Sequence, residues 1–495
     1  MNEDFEGYVI YCKDVDREIP FGVVSEDYEC RAISDYIPTK LKEFLVQIED
    51  KRFFNHNGID PKGISRAIVE NIKAGKIVQG GSTITQQLAR NLLKDNSKTF
   101  ARKLRETIKA FQLEKKYSKN EILNLYFNNV YFGMNLRGIR AAGLCYFGKE
   151  VERLNQSELL YLLTILRGPN YYIKRPEIAT ERYKFLSNSL LQKKLISKSR
   201  NQKNLNSKLD LKENQLQNIK SASIPFITDQ TNSKQKKVVS TIDIKIQTFA
   251  KQFVTDSKYP VSIIAVKNNK AIAFASSYGT DYPFISKSNV GSTLKPFLYC
   301  HLRDCGVSID EKFDALKNDL NLDIREVGYH KSQLNLPEAL YYSNNNSFLN
   351  AANKINIENS LKYLANVLNH EQGEFYPSSI LGATRNGISL FELAFAYYTF
   401  FSPRNLSDSK IECLLILNKI FKEKLGFQVE NAFLKTGTTN KNKERFAVLG
   451  NPELTFAILR NENTINDESK EGGFMNQISR SFYSFFKTHN NYTWI

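Results

Sequence analysis

Apolar residues recur at three- and four-residue spacing through much of the first 195 residues, which is the pattern of amphipathic helices. Loops that contain glycine, such as 80–81, separate these stretches. The spacing predicts helices over residues 41–48, 84–93, 100–113 and 121–127. We therefore expect a helical domain over residues 39–195.

The pattern changes after residue 195. Residues 196–237 are rich in Lys, Asn, Gln and Ser and poor in apolar residues, which predicts a polar linker that could include a solvated helix. Beyond it, paired apolar runs around short turns predict two hairpins, 261–266 with 271–275 and 446–449 with 454–459. Helical segments lie between them, so we expect a mixed α and β domain over 238–495, and an acidic N-terminal segment over 1–38.

The composition indicates an ordinary globular protein. The 495 residues are 41% hydrophobic, 12% aromatic and 24% charged, which argues against collagen, coiled coil and wholesale disorder. Six scattered cysteines without a CxxC pair predict no disulfide framework. The longest apolar runs are shorter than the ~18 residues of a membrane span, and the acidic first residues do not resemble a signal peptide. The sequence therefore predicts neither an anchor nor an export signal.

The net charge of +17 is distributed unevenly. Residues 1–50 carry −8, residues 51–250 carry +22, and residues 251–495 carry +3. Such a basic region favours an anionic partner, either nucleic acid, an acidic membrane surface or a phosphorylated substrate. We expect the first half of the chain to bind it.

Carboxylates in this basic region form a first candidate site. Glu49 and Asp50 lie where a predicted helix gives way to a turn, and most such exposed pairs are simply solvated. Arg102, Glu106 and Lys109 share one face of a later helix. They form either a salt-bridge ladder or a carboxylate among cations, which would suit a metal or a pyrophosphate leaving group.

A double glycine, Gly80-Gly81, precedes a hydroxyl-rich helix start between these two segments. Free N–H groups and hydroxyls at such a start are a plausible seat for a phosphate. Pure N-capping is the simpler alternative. No GKT or GKS follows, so the segment is not a Walker loop.

Five motifs in this order resemble the family 51 peptidoglycan glycosyltransferases. They are Glu49-Asp50-Lys51-Arg52-Phe53 with His56 and Gly58-Ile59-Asp60; Gly80 to Asn91; Arg102-Lys103 with Glu106; Lys119 to Asn128; and Gly138 to Lys149. The resemblance implies an all-α, lysozyme-like domain. It also implies polymerisation of lipid II, the lipid-linked disaccharide-peptide precursor of the cell wall.

The resemblance assigns a role to each carboxylate. Glu49 would be the general base for the acceptor 4-hydroxyl. Glu106, with a divalent metal (Mg or Mn) and the cations of Arg102 and Lys103, would help the lipid pyrophosphate leave. The substrate-binding residues implied are Asp50, Phe53, His56, Ser82, Thr83, Gln86, Arg90, Asn91, Arg102, Lys103 and Lys119.

A second candidate site begins with Ser292 and Lys295, whose spacing puts a hydroxyl and an amine on one helical face. Such a lysine can act as base for the serine. Two further elements follow in order, Ser343-Asn344-Asn345 and Lys435-Thr436-Gly437-Thr438. The three together resemble the penicillin-binding transpeptidase domain, which implies an α+β, β-lactamase-like fold.

That resemblance implies a serine acyl-enzyme that forms on a stem peptide without a cofactor. Ser292 would be the nucleophile and Lys295 its base, while Ser343 and Asn345 would relay protons and orient the substrate. Lys435, Thr436 and Thr438 would hold the peptide carboxylate on the strand that contains Gly437. Backbone N–H groups of Ser292 and Thr438 would form the oxyanion hole, and β-lactams would acylate Ser292.

The whole chain resembles a class A bifunctional penicillin-binding protein. Its expected partners are lipid II, nascent peptidoglycan and the membrane surface, at the outer face of the bacterial cytoplasmic membrane. The family normally has an N-terminal transmembrane helix, for which the sequence has no candidate. The apolar face of 41–48 could hold the bilayer peripherally, although core packing is the favoured alternative.

Two departures affect the second half of the chain. Ser292 and Lys435 are 143 residues apart, which is short for the family, and residues 439–450 lack a tryptophan, the single one being Trp494. A glycosyltransferase with a degenerate or carboxypeptidase-only second domain is therefore an alternative, as is a pure hydrolase. Nucleic acid is not expected, because no zinc-ligand spacing or RNA-recognition signature is present.

Overall fold

The computed structural model of the chain describes residues 7–14, 17–25, 29–75, 80–93, 97, 99–207, 209, 211, 216–320, 322, 324, 331–439, 444–461 and 470–488, so Trp494 lies outside the described residues. These residues form two compact units. The first is built from Arg17–Ala222, residues 7–12 and Gln230–Val239. The second is built from residues 240–488, Ser223–Asp229 and residues 13–14.

The first unit is mainly helical. Its helices are α1 (Thr39–Glu49), α2 (Pro61–Ala74), α3 (Ile84–Leu93), α4 (Phe100–Lys116), α5 (Lys119–Asn129), α6 (Ile139–Phe147), α7 (Gln156–Ile165), α8 (Pro169–Ile173), α9 (Pro176–Gln192) and α10 (Lys198–Asn206). The four helices predicted from spacing correspond to α1, α3, α4 and α5 and are confirmed. Every residue of α6 is buried, so this helix lies at the centre of the apolar core.

Short strands accompany these helices. They are β1 (Val9–Asp14), β2 (Arg17–Val24), β3 (Cys30–Arg31), β4 (Tyr131–Gly133), β5 (Leu136–Arg137), β6 (Gln217–Ile219), β7 (Thr228–Asn232) and β8 (Lys237–Ser240). One sheet has the order β6-β2-β1-β8-β7, and a smaller one has the order β3-β5-β4. β1 runs parallel to β8, with Val9 opposite Lys237. The acidic N-terminal segment thus shares a sheet with strands from the stretch that the sequence assigned to a linker.

The expected linker also contains α10, which packs through polar contacts. Asn201 and Asn204 are buried. Ser157 donates to Asn204 at 2.9 Å, and Ser187 donates to Asn201 at 2.7 Å. Because hydrogen-bonded amides replace apolar contacts here, the low apolar content of residues 196–237 did not reveal that part of it is folded.

The apolar face of α1 points into the core. Leu41, Phe44, Leu45 and Val46 are all buried. Core packing was the favoured interpretation of this face over bilayer contact, and the burial confirms it. None of the helices in the described ranges is long and apolar enough to cross a membrane.

The second unit is mixed α and β. Its helices are α11 (Ile224–Ile227), α12 (Ile244–Thr255), α13 (Tyr282–Ile285), α14 (Lys295–Asp304), α15 (Leu336–Tyr342), α16 (Asn345–Lys354), α17 (Ile357–Leu368), α18 (Leu390–Phe400), α19 (Asp408–Leu425) and α20 (Lys470–Thr488). Its strands are β9 (Val261–Lys267), β10 (Lys270–Ser276), β11 (Lys287–Ser288), β12 (Lys312–Asp314), β13 (Gln333–Asn335), β14 (Ile388–Ser389), β15 (Phe433–Thr438), β16 (Glu444–Asn451) and β17 (Leu454–Asn461).

The main sheet of this unit is antiparallel, with the order β10-β9-β17-β16-β15. The two predicted hairpins are β9–β10 and β16–β17, so both are confirmed. α12 packs on β10, α18 on β17 and β9, and α19 on β15. The strand β15, which carries the Lys-Thr-Gly-Thr motif, lies at the edge of this sheet.

Candidate active sites

Glu49 is the last residue of α1 and is only partly buried. Its Oε2 accepts a hydrogen bond from Nε2 of Gln87 on α3, at 3.3 Å. The amide in turn accepts from the hydroxyl of Tyr126 on α5, at 3.0 Å. The carboxylate expected to act as a base is therefore held from one side by a neutral donor.

Asp50 follows Glu49 but has a different environment. Both oxygens of the buried Asp50 carboxylate lie within 3.1 Å of Nε2 of His56. The Nδ1 atom of His56 accepts from the backbone N–H of Gly58, at 3.2 Å, so the ring proton is on Nε2 and is donated to Asp50. Asp50 also accepts from the N–H of Ile84 at the start of α3, at 3.0 Å. Asp50 and His56 therefore join the turn after α1 to α3.

Glu106 is surrounded by cations. Its side chain is buried on α4, where Arg102 donates to Oε1 and Lys103 donates to Oε2 at 3.0 Å. Arg90 of α3 lies 4.0 Å from Oε1. Lys103 also donates to the hydroxyl of Ser82, at 3.1 Å. The predicted pair of Arg102 with Glu106 exists, and Lys103 takes the place expected for Lys109. Arg90 of α3 adds a further cation, and Ser82, just before α3, adds a hydroxyl.

The metal expected at Glu106 does not fit these side chains. Mg and Mn ions prefer several oxygen ligands, and both oxygens of Glu106 already accept from cations. In the part of the chain that the structure describes, no group of three His, Cys, Asp or Glu side chains could hold a metal. We therefore derive no step through a metal.

The start of α3 differs from the expected phosphate seat. The N–H of Thr83 donates to the side chain of Gln86, that of Ile84 to Asp50 and that of Gln86 to the hydroxyl of Thr83. These N–H groups are satisfied within the protein, so N-capping, the simpler alternative, describes this segment. Thr83 and Gln86 are both buried.

Lys119 contacts both the backbone of His56 and the ring of Phe53. The Lys119 ammonium donates to the backbone oxygen of His56 at 2.6 Å and to Glu114 at 2.8 Å, and it lies 4.4 Å from the centre of the Phe53 ring. Phe53 was expected among the substrate-binding residues, but its side chain is completely buried. A buried ring acts on a ligand only through the groups that it positions.

The exposed part of the first site lies around Glu106. Ser82 and Arg90 are exposed, while Lys103 and Asn91 are partly buried. These side chains and the partly buried Glu49 can reach a ligand directly. The structure thus separates an accessible set from the supporting set formed by Asp50, Phe53, His56, Thr83 and Gln86.

The second site is held together by two lysines. Lys295 is completely buried at the start of α14, three residues after Ser292. Its Nζ donates to Oδ1 of Asn345 at 2.7 Å and to the backbone oxygen of Ser343. Lys435 on β15 donates to the hydroxyl of Ser343 at 2.8 Å. The three predicted motifs therefore come together, because Ser343 contacts both Lys295 and Lys435.

The second site depends on two unusual features of the backbone, at Ser343 and at Gly437. Ser343 ends α15 with a backbone φ of 59°, which residues other than glycine rarely adopt. A Cβ on Gly437 would lie 2.3 Å from the backbone oxygen of Val290. Because glycine is present, β15 can pass directly against the turn that carries Ser292. Thr438 therefore reaches the nucleophile turn, and it is exposed there.

Sequence reasoning missed two residues of the first site, Gln87 and Tyr126. It selected Gln86 instead. Because Thr85, Gln86 and Leu88 are all buried, helical spacing does not show which of the two adjacent glutamines contacts Glu49. From the sequence alone, Tyr126 looks like an ordinary core residue. Its partner becomes visible only when α5 lies against α3.

Comparison with known proteins shows which proteins the chain is similar to. Residues 21–191 match the family described as transglycosylase. Penicillin-binding protein 1F of Bacillus subtilis (strain 168) is 31% identical over 403 residues, covering 74% of this chain and 56% of that protein. Penicillin-binding protein 4 of the same organism is 25% identical over 505 residues, covering 87% of this chain and 81% of that protein. The chain is therefore similar to penicillin-binding proteins over most of its length.

Further penicillin-binding proteins match over shorter or more distant alignments. Penicillin-binding protein 1A of Neisseria cinerea is 39% identical over 183 residues, covering 37% of this chain and 23% of that protein. The chain thus spans about half of the Bacillus protein 1F and less than a quarter of the Neisseria protein. The crystal structure of penicillin-binding protein 1A from Haemophilus influenzae has the same fold, with a TM-score of 0.50, 12% identity and coverage of 99% of this chain and 93% of that one.

Proposed function

We propose that the chain is a peptidoglycan synthase with two activities. Its first unit, a helical domain of lysozyme-like type, polymerises lipid II into glycan strands. Its second unit cross-links stem peptides through an acyl-enzyme on Ser292. The two sets of side chains described above support this assignment, since each contains the groups that its reaction requires.

In glycosyl transfer, the 4-hydroxyl of the acceptor sugar attacks the anomeric carbon of the donor. The new bond joins the acceptor oxygen to that carbon, and the bond from the carbon to the phosphate oxygen breaks. Glu49 takes the hydroxyl proton. The electron pair leaves with the lipid pyrophosphate, whose growing negative charge Arg90, Arg102 and Lys103 stabilise.

The observation that carries this proposal is the contrast between the two carboxylates. Glu49 accepts from a neutral amide and is only partly buried, whereas Glu106 is buried among three cations. This contrast supports Glu49 as the group that takes a proton and Glu106 as the group that arranges positive charge. Two carboxylates with different environments are the usual arrangement for glycosyl chemistry.

Incubation with lipid II tests the first activity. Wild type should yield glycan polymer, and Glu49→Gln should reduce polymerisation by about 10²-fold or more, because general-base catalysis contributes roughly that much. Glu43→Gln, an exposed change on the same helix, is the matched control and should retain activity. Cleavage of finished glycan without polymer formation would instead favour the hydrolase alternative.

In transpeptidation, Ser292 attacks the carbonyl of the penultimate D-Ala and its proton passes to Lys295. The peptide bond breaks, and terminal D-Ala leaves with a proton, relayed by Ser343. An amine of a neighbouring stem peptide then attacks the ester, which forms the cross-link and frees Ser292. The hydrogen bonds that join Lys295, Ser343, Asn345 and Lys435 support an acylating second unit over a degenerate one.

A fluorescent penicillin tests the second activity. The native chain should be labelled covalently, and Ser292→Ala should lose the label while it retains polymerisation of lipid II. A native chain that takes no label would favour a degenerate second unit. Release of D-Ala without cross-linked product would favour a carboxypeptidase.

We propose that the first unit contacts the membrane through α4, not α1. One face of α4, opposite the buried face with Glu106, has apolar side chains that follow helical spacing and are 49–86% exposed, namely Phe100, Leu104, Ile108 and Phe111. The same helix carries the exposed basic residues Arg105, Lys115 and Lys116. An apolar stripe accompanied by basic residues suits an anionic bilayer surface, where lipid II is located.

Cosedimentation with vesicles that contain anionic lipid tests this surface. The double change Leu104→Ser and Ile108→Ser should reduce binding at least several-fold, and high salt should weaken wild-type binding. The matched control is Ile411→Ser with Leu415→Ser, which removes exposed apolar side chains from α19 of the second unit. Equal loss in both double variants would contradict a specific role for α4.

A further inference from the structure

A chain of two hydrogen bonds connects the core of the first unit to Glu49. The Tyr126 hydroxyl donates to Oε1 of Gln87 at 3.0 Å, and Nε2 of Gln87 donates to Oε2 of Glu49 at 3.3 Å. An ionised carboxylate only accepts hydrogen bonds, so the amide must turn its NH₂ group toward Glu49. The phenol is then the donor that satisfies the other end of the amide.

Tyr126 is well suited to be a permanent donor. Its side chain is only 2% exposed, and its ring packs edge-on against Phe127, with centroids 5.6 Å apart. Burial raises the pKa of the Tyr126 phenol, and the nearby charge of Glu49 raises it further, while Arg90 acts weakly in the opposite direction. The hydroxyl therefore keeps its proton at neutral pH.

The geometry of Gln87 depends on this donor. A primary amide can rotate by half a turn and exchange its oxygen with its nitrogen at little steric cost. The rotated amide would point its oxygen at the Glu49 carboxylate, where two acceptors repel each other. The Tyr126 proton disfavours that rotation, because the amide nitrogen cannot accept it.

We propose that Tyr126 is a positioning residue for glycosyl transfer: through Gln87 it fixes one oxygen of Glu49 and so aims the other at the acceptor hydroxyl. The inference rests on the proposed role of Glu49 as general base. Tyr126 itself contacts neither substrate nor reacting atoms. It acts because a base that is misaligned by a fraction of an ångström loses much of its rate advantage.

Tyr126→Phe removes the hydroxyl and leaves the ring in the core. We expect kcat for lipid II polymerisation to fall by about 10- to 100-fold with little change in KM, because substrate contacts are untouched while the base is misaligned. Tyr146→Phe is the matched control. Tyr146 is also buried in this unit and donates to a backbone oxygen, that of Phe132, at 2.7 Å. The control should lose comparable stability but keep kcat.

A double-mutant cycle separates positioning from a general structural effect. If Tyr126 acts through Gln87, then Tyr126→Phe should cost almost nothing in a Gln87→Ala background, so that the double variant equals Gln87→Ala alone. Losses of kcat that multiply, or a Tyr126→Phe variant with wild-type kcat, would overturn the inference. A wild-type chain that makes no polymer would overturn the proposed function and this inference with it, whereas multiplying losses in an active enzyme overturn the inference alone.

Discussion

The carboxylate of Asp50 lies 3.0 Å from Nε2 of His56, and both side chains are buried. The same carboxylate caps α3 by accepting from the N–H of Ile84. A single side chain thus fixes the turn after Glu49 and the start of the helix that carries Gln87. Asp50 therefore sets the distance between the proposed base and its donor.

Asp50→Asn tests this linking role. Oδ2 of Asp50 accepts from both Ile84 and His56, so an asparagine oxygen in that place would turn the NH₂ group toward Nε2 of His56, which is itself a donor. We expect the free energy of unfolding to fall by about 1–3 kcal/mol and polymerisation by at least 10-fold. Denaturant unfolding and a lipid II assay measure the two effects. Asp35→Asn, at a carboxylate that is 80% exposed, should change neither.

Glu106→Gln leaves three cations without their shared carboxylate. Arg102 and Lys103 would repel each other and could no longer be held toward a leaving pyrophosphate. We expect polymerisation to fall by about 10²-fold or more, while penicillin labelling of Ser292 stays unchanged. Glu70→Gln, at an exposed site on α2, is the control. A Glu106→Gln enzyme with wild-type polymerisation would contradict our assignment of charge neutralisation to this cluster.

Ser343→Gly separates strain from chemistry in the second unit. Its φ of 59° suits glycine, so we expect stability to stay constant or to rise by up to about 1 kcal/mol. Loss of the hydroxyl between Lys295 and Lys435 should nevertheless slow acylation by penicillin at least 10-fold. Asn369→Gly is the matched control, since Asn369 ends α17 with φ of 56°. It should gain stability in the same way with no change in acylation rate.

Thiol titration tests the packing of both units. Cys305 is exposed and the other five cysteines are buried. Burial raises the pKa of Cys30 to about 12 and that of Cys145 to about 11, which keeps these thiols protonated and unreactive at neutral pH. The reduced native protein should therefore show one fast thiol toward a disulfide reagent, and six after unfolding. Several fast thiols in the native state would contradict the packing described here.

Helical spacing and local motifs predicted much of both units. The pattern located α1, α3 and α5 because each buries one apolar face. It located α4 because its apolar residues also follow helical spacing, although that stripe is exposed. It located both hairpins because each has an apolar strand before and after a turn. For residues 196–237 the pattern allowed a solvated helix, and α10 is largely solvated, but the pattern did not show that Asn201 and Asn204 are buried and hydrogen-bonded to Ser187 and Ser157. A hydropathy pattern cannot detect an interface that contains no apolar stripe.

The sequence by itself determined which chemical groups are present and in what order, from Glu49 and Glu106 to Ser292, Lys295 and the Lys-Thr-Gly-Thr strand. Only the tertiary structure decided which of them share an environment. Arg90 reaches Glu106 from another helix, Asp50 accepts from the Ile84 N–H that was expected to be free, and Tyr126 reaches Glu49 through Gln87. Residue spacing reports neighbours along one element, whereas these contacts join atoms of different elements and exist only when the helices pack.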